Sequence, residues 1–170
     1  MNGKNSGAYF TFNTAIDNEI TYQISISFVS IENAKENLKS ERQFADFDFC
    51  KKETQKIWDQ NLSKIIIKSD SKDKLTQFYT HLYHSMIHPN IVSDINGEYM
   101  GADFIKKRVE KGRDHYSSFS VWDTYRTQGQ LVAILFPKES SDMMESLVNF
   151  AKEAGGYGRW ILANIETGIM

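Results

Sequence analysis

Cysteine is almost absent from this chain. Cys50 is the only one among 170 residues, so no intrachain disulfide can form. A lone thiol suits a reducing compartment, and equally an exported protein that does not rely on disulfides. Proline is scarce too: Pro89 and Pro137 are the two examples, and each stands where a helix is expected to stop. No apolar run approaches the length of a membrane span. Residues 1–10 are polar and lack the apolar stretch of a secretory signal. Neither sign of charge dominates, with 20 basic and 22 acidic side chains and a formal net charge of −2. That balance gives no electrostatic basis for binding nucleic acid or an anionic membrane. Internal repeats and low-complexity tracts are absent as well.

The chain does have apolar material. Hydrophobic residues make up 41% of it, enough for one core, and the length suits one domain. Aromatic residues reach 13%, which serves a carbohydrate site or a core equally well.

The hydropathy pattern starts with strands and passes into helices. Residues 9–12 and 20–28 alternate aromatic or β-branched with polar side chains, as strands do, and Asp17-Asn18 supplies a turn between them. Two strands cannot make a stable sheet alone, so they need a partner elsewhere. Ser30 is placed to cap a helix over residues 31–41. A second helix is expected over 46–62, with Cys50, Thr54, Ile57, Trp58 and Leu62 on one face and the thiol buried. Ile65-Ile66-Ile67 reads as a short buried strand. An amphipathic helix over 72–88 follows, with Leu75, Phe78, Tyr79, Leu82, Tyr83, Met86 and Ile87 in helical period and Pro89 as its stop. Asn96-Gly97 signals a hairpin over 93–99. Residues 106–115 are charged and read as a mobile link. One helix is expected over 120–136 up to Pro137. Another is expected over 142–154, capped by Ser140 or Ser141, with Met144, Leu147, Val148 and Ala151 inward. Gly155-Gly156 ends it.

Four groups of residues carry candidate chemistry. Trp122 and Tyr125 in Phe119-Ser120-Val121-Trp122-Asp123-Thr124-Tyr125-Arg126 are i, i+3 neighbours, and so are Asp123 and Arg126. Asp123 can accept from two adjacent hydroxyls while Arg126 holds it or donates to the same ligand. Trp122 offers a flat face of the kind that suits the C–H side of a sugar. An ordinary amphipathic helix start with an outward ion pair fits the same residues. Gly155, Gly156, Arg159 and Trp160 repeat the cation-plus-aromatic theme, and a helix end followed by a packing tryptophan fits them equally. His81, His84 and His88 share one helix face, but no acidic residue lies among them, so a polar face is the better reading than a metal site. Asp94-Ile95-Asn96-Gly97 echoes half of a calcium loop, but its glycine comes too early and the closing glutamate is missing.

The octapeptide resembles the Phe-Ser-Leu-Trp-Asp-Thr-Tyr-Arg signature of glycoside hydrolase family 92, the calcium-dependent exo-acting α-mannosidases. Further stretches agree in the same order: Ile24 to Ala34; Phe78-Tyr79-Thr80-His81-Leu82-Tyr83-His84 with Pro89; Asp94, Gly97, Tyr99, Gly101 and Asp103; and Gly155-Gly156, Trp160 and Glu166 to Met170. The family is expected to have a proline within Thr127-Gln128-Gly129-Gln130-Leu131, and this chain has none there.

The resemblance implies an α+β, mainly α fold. Residues 1–30 would be the last strands of an N-terminal β-sandwich, 31–70 linker helices with a return strand, and 71–170 the first helices of an (α/α)6 catalytic toroid. It implies an inverting hydrolase of mannose-containing glycans, with α-1,2 the expected linkage. Trp122, Asp123, Arg126, Gly155, Gly156 and Trp160 would belong to its substrate subsite. Inversion needs an acid and a base about 6.5–9.5 Å apart. By resemblance both lie beyond Met170, as do most Ca2+ ligands, so the chain depends on the remainder of a longer protein. An exported location, periplasmic, cell-surface or secreted, is implied in the same way. The alternative is a non-catalytic helical module that binds carbohydrate or a partner chain.

Overall fold

The computed structural model describes residues 7, 9–15, 18–41 and 46–168. Asp17, Ile169 and Met170 lie outside the described residues. Thirteen elements follow in order. They are α1 (Ile31–Glu41), α2 (Phe47–Leu62), α3 (Lys72–His84), β1 (Asn90–Ile91), β2 (Glu98–Met100), β3 (Lys106–Arg108), β4 (Tyr116–Ser117), β5 (Phe119–Ser120), α4 (Val121–Thr124), α5 (Gln128–Leu135), α6 (Pro137–Ala154), β6 (Trp160–Leu162) and β7 (Ile165–Glu166). Mixed helix and short strand, mainly helical, is the class the sequence pattern predicts.

No strand forms over 9–12 or 20–28, contrary to the periodicity. Strand geometry is held by a ladder, and these segments have none. Their apolar side chains stay out: Tyr9 is 91% exposed and Ile24 74%. The Ile65–Ile67 strand fails for the same reason, and Ile66 is 78% exposed. The expected inner face of α2 buries no residue, and Cys50 is exposed rather than buried.

Capping chemistry sets three helix starts, of which the sequence reading named Ser30 as a cap. Ser30 Oγ accepts from Asn33 N at 3.1 Å, Asp46 caps α2 through Asp48 N at 3.0 Å, and Ser71 caps α3. Helix ends were read less well. α3 stops at His84, four residues short of expectation, where Ser85 N–H turns back to His81 O. The expected helix over 120–136 is two, broken at Tyr125–Thr127. Pro137 opens α6 instead of only closing α5, because its missing N–H costs nothing in a first turn. Ser140 and Ser141 therefore lie inside α6 and cap nothing. The buried face of α6 is Asp142, Ser146 and Phe150, while Met144 is 52% exposed. Gly155 closes the helix in the left-handed region, at φ 78°, as its residue type predicts.

Residues 106–115 are built in rather than mobile. β3 pairs antiparallel with β2, Tyr99 opposite Lys107, and His115 is buried. The hairpin strands are thus β2 and β3. Asn96-Gly97 makes a tighter turn just before them, closed by Gly97 N to Asp94 O at 2.7 Å. β1 pairs with β4, and β5, β6 and β7 form a three-stranded sheet. The sequence pattern missed β6 and β7, which are too short to show a period.

The core cluster is Tyr116, Phe119, Phe150 and Ile161, with Ala102, Val121, Met143 and Leu147 packed against it. It clamps α6 onto the β4–β5 and β6 strands. Gly158 is required there, since a Cβ would stand 2.7 Å from Ile161 and 2.8 Å from Phe150.

Candidate functional site

α4 begins where β5 ends, so the signature octapeptide is a strand running straight into a single helical turn. Ser120 Oγ donates to Asp123 Oδ2 in a short hydrogen bond, and Thr124 Oγ1 donates to Ser120 O at 3.0 Å. These local bonds hold the turn that presents Asp123. Among the described residues Asp123 Oδ1 has no partner. Arg126 is turned away from Asp123: its Nε donates to Tyr125 Oη at 3.0 Å. The expected i, i+3 ion pair is therefore absent, because the helix breaks at Tyr125 before a second turn can align the pair.

Asp123 lines a cavity of about 700 Å3. His84 and His88 come to it from the end of α3, Ser118 to Ser120 from β5 and its approach, Thr124 and Gln128 from α4 and α5, and Trp160 to Leu162 with Thr167 from the β6–β7 hairpin. Ser118 sits in the left-handed region at φ 64°, and the bend it makes sends β4 and β5 into different sheets. Among the described residues the lining surface is mostly apolar, with Asp123 its one carboxylate and no lysine or arginine. A wall of Phe119, Trp160 and Ile161 with a few polar groups on one side suits a ligand with a hydrocarbon face and several hydroxyls.

Of the residues singled out in the sequence, Asp123 and Trp160 meet in this cavity. Trp122 and Arg126 flank Asp123 in sequence but do not line the cavity, and both are exposed, Trp122 at 56%. Gly155 and Gly156 do not line it and face open space, so the observed role of this pair is to end α6. Arg159 is engaged by Glu166 at 3.1 Å, which holds the Glu166 carboxyl below its ordinary value. His84 and His88 were noticed as a polar helix face, and His81 does not join them in the cavity. Gln128 carried no sequence signal beyond standing in the run that lacks a proline.

Two charged clusters brace the site without lining it. Asp94 is buried and accepts from Ser27 Oγ, Asn33 Nδ2 and Asn37 Nδ2, each at 2.7 Å. It pins α1 and the segment before it to the turn ahead of β2. Asn33 also reaches Glu98, and with Arg108 it pulls the Glu98 carboxyl down to about 2. Asp142, only 2% exposed, accepts from Arg113 at 2.8 Å and Lys138 at 3.1 Å. Near it Tyr99 stacks on His115 at 3.7 Å and donates to Glu153 at 3.0 Å. Burial, then this bond, pushes the Tyr99 hydroxyl up, and burial pushes His115 down to about 4.

Among the described residues no three His, Cys, Asp or Glu side chains group as metal ligands. These residues do not fit a calcium centre, and the half-loop at Asp94 spends its carboxylate on three neutral donors. No helix is long and apolar enough to cross a membrane among them either.

Residues 33–170 match the glycosyl hydrolase family 92 catalytic domain. The structure is similar to the family GH92 α-mannosidase from Bacteroides thetaiotaomicron, with TM-score 0.77 and 30% identity over 85% of this chain and 19% of that one. The same relative, solved in complex with mannoimidazole, matches equally. A GH92 family glycosyl hydrolase, ccman5, matches with TM-score 0.68 and 30% identity over 78% of this chain and 18% of its own. The chain thus spans about a fifth of the length of these structures. No curated protein sequence matches it.

Proposed function

The chain belongs to glycosyl hydrolase family 92, and from that premise we propose that it supplies part of the mannose-binding subsite of an exo-acting, inverting α-mannosidase. The observation that carries this reading is the cavity that gathers Asp123 and Trp160 around one free carboxylate oxygen. In it Asp123 accepts from adjacent sugar hydroxyls and the indole of Trp160 takes the C–H face. Trp122 and Arg126, exposed and flanking Asp123 in sequence, meet the ligand from its outer rim. Linker helices α1 and α2 and an (α/α)6 toroid that begins with α3 are the architecture this reading assigns, with α-1,2 the first linkage to test.

Hydrolysis is a different matter. An inverting reaction needs one carboxyl to protonate the leaving oxygen and a second to activate water. The cavity offers Asp123 alone, so the acid and base come from a part of the family fold that this chain does not match. Calcium, which the family resemblance implies, would be held there too, and no step here passes through it. The chain by itself binds and orients but does not cleave. A half-built pocket open to water is expected to hold a mannoside at about millimolar affinity, about −4 kcal/mol. Purified chain should release no mannose from α-linked mannobiose, with or without calcium. Release above an Asp123→Ala control would show a complete site within these residues and overturn the reading.

A further inference from the structure

His88 is held at its carbonyl and at its ring although it is exposed. Gln128 Nε2 donates to the His88 carbonyl at 2.9 Å and to the Ser85 carbonyl at 2.8 Å, tying α5 to the chain just after α3. The ring Nδ1 lies 2.9 Å from Asn90 Oδ1. Which group donates there is settled by the other end of Asn90. Its Nδ2 donates to Ile87 O at 3.1 Å, so the amide cannot turn round, and Oδ1 can only accept. His88 Nδ1 must then carry the proton. In the neutral ring that leaves Nε2 with a bare lone pair.

We propose that His88 is a second hydroxyl acceptor in the cavity of Asp123, and that the two acceptors together select an uncharged polyol over an anionic sugar. This rests on reading the cavity as a mannose subsite. Asp123 and the bare nitrogen of His88 both need hydrogens from the ligand, and hydroxyl groups supply them. A phosphate or carboxylate has none to give when ionised. Among the described residues no lysine or arginine lines the cavity itself, Arg126 standing outside it with its Nε on Tyr125, so an anion inside meets Asp123, which repels it. The preorganisation by Gln128 and Asn90 means that little ordering is left to the moment of binding.

The test uses the 170-residue chain at pH 8, with methyl α-mannoside and mannose 6-phosphate as probes. Long-range 15N–1H correlation on the unmodified chain should show His88 protonated at Nδ1 and bare at Nε2. The opposite tautomer overturns the proposal without any variant. In titrations followed by NMR, His88→Phe should bind methyl α-mannoside roughly two- to tenfold more weakly, the loss of one hydrogen bond between neutral groups. Asn90→Ala frees the ring and should lose less. Mannose 6-phosphate should bind at least about tenfold more weakly than the neutral probe. If Asp123→Ala weakens binding while His88→Phe leaves it unchanged, the subsite reading stands and this inference falls. If Asp123→Ala has no effect, or methyl α-mannoside does not bind at all, both fall together.

Discussion

In the proposed subsite Asp123 is the residue on which recognition would turn. It is acceptor-only, one oxygen is held by Ser120, and the other is free for a ligand. In an intact enzyme of this family Asp123→Ala should lower kcat/KM for an α-mannoside by roughly ten- to a hundredfold, the loss of a charge-assisted bond. Asp123→Asn should cost less. Unchanged kinetics in a folded Asp123→Ala protein would remove the residue from the site. His115 makes a second prediction. Burial holds its pKa at about 4, against an ordinary 6.5. As pH falls, the unfolded chain takes up this proton first. The stability tied to the neutral ring is intact above about 6.5 and is lost progressively as pH falls towards 4, by about 3 kcal/mol in all for a shift of this size. His115→Phe should flatten that window in urea unfolding measured from pH 4 to 7. Glu98 acts lower: its carboxylate contribution begins to fade below 4.5 and is lost towards 2. A pH dependence identical with and without His115 would contradict the assignment.

At the scale of elements, α6 carries the packing and α1 is held chiefly through the Asp94 carboxylate, with Glu98 and the Ile95 amide beside it. Phe150→Ala opens the cluster between α6 and the strands and should cost about 3–5 kcal/mol in denaturant unfolding. Asp94→Ala takes one acceptor from each of the Asn33 and Asn37 amides, which keep Glu98 and the Ile26 carbonyl, at a cost of about 1–3 kcal/mol. Amide exchange in α1 should rise with it, and an α1 as protected as before would show another anchor. The elements also show what was legible. The Ser30 cap was, because its hydroxyl bonds to backbone three residues away, whereas Ser140 and Ser141 lie inside α6. Signals of that range survive in sequence. The α6 face was read only in part: Leu147 packs against the core, but Met144 and Val148 are exposed, and the interior is partly polar, with Asp142 and Ser146 buried for their bonds to Arg113, Lys138 and Tyr116. Apolar periodicity cannot see such a face. The strands 9–12 and 20–28 were misread for the opposite reason. Their alternation is real, but a ladder depends on a partner, and alternation does not supply one.

The whole molecule shows large apolar surface. Tyr9, Phe10, Phe12, Ile20, Tyr22, Ile24, Ile26 and Phe28, together with Phe47, Ile66, Trp122 and Ile134, are each at least 44% exposed. Exposed apolar side chains in this number suit a surface that binds other protein. The isolated chain should therefore elute from size exclusion in a concentration-dependent way and bind an apolar dye. A monodisperse monomer that unfolds cooperatively and ignores the dye would favour the self-sufficient binding module instead. The candidate site itself was half legible. Asp123 and Trp160 stood in recognisable motifs, whereas His88 and Gln128 enter the cavity only because α3 ends early and α5 folds back over it. The central claim is that this cavity is a mannose subsite. The most direct measurement is a titration of the 15N-labelled chain with methyl α-mannoside, followed by amide shifts. The account predicts saturable changes at about millimolar ligand, centred on Ser118, Ser120, Asp123, Gln128 and Trp160, and absent in Asp123→Ala. Changes centred elsewhere, or none up to saturating sugar, would contradict it.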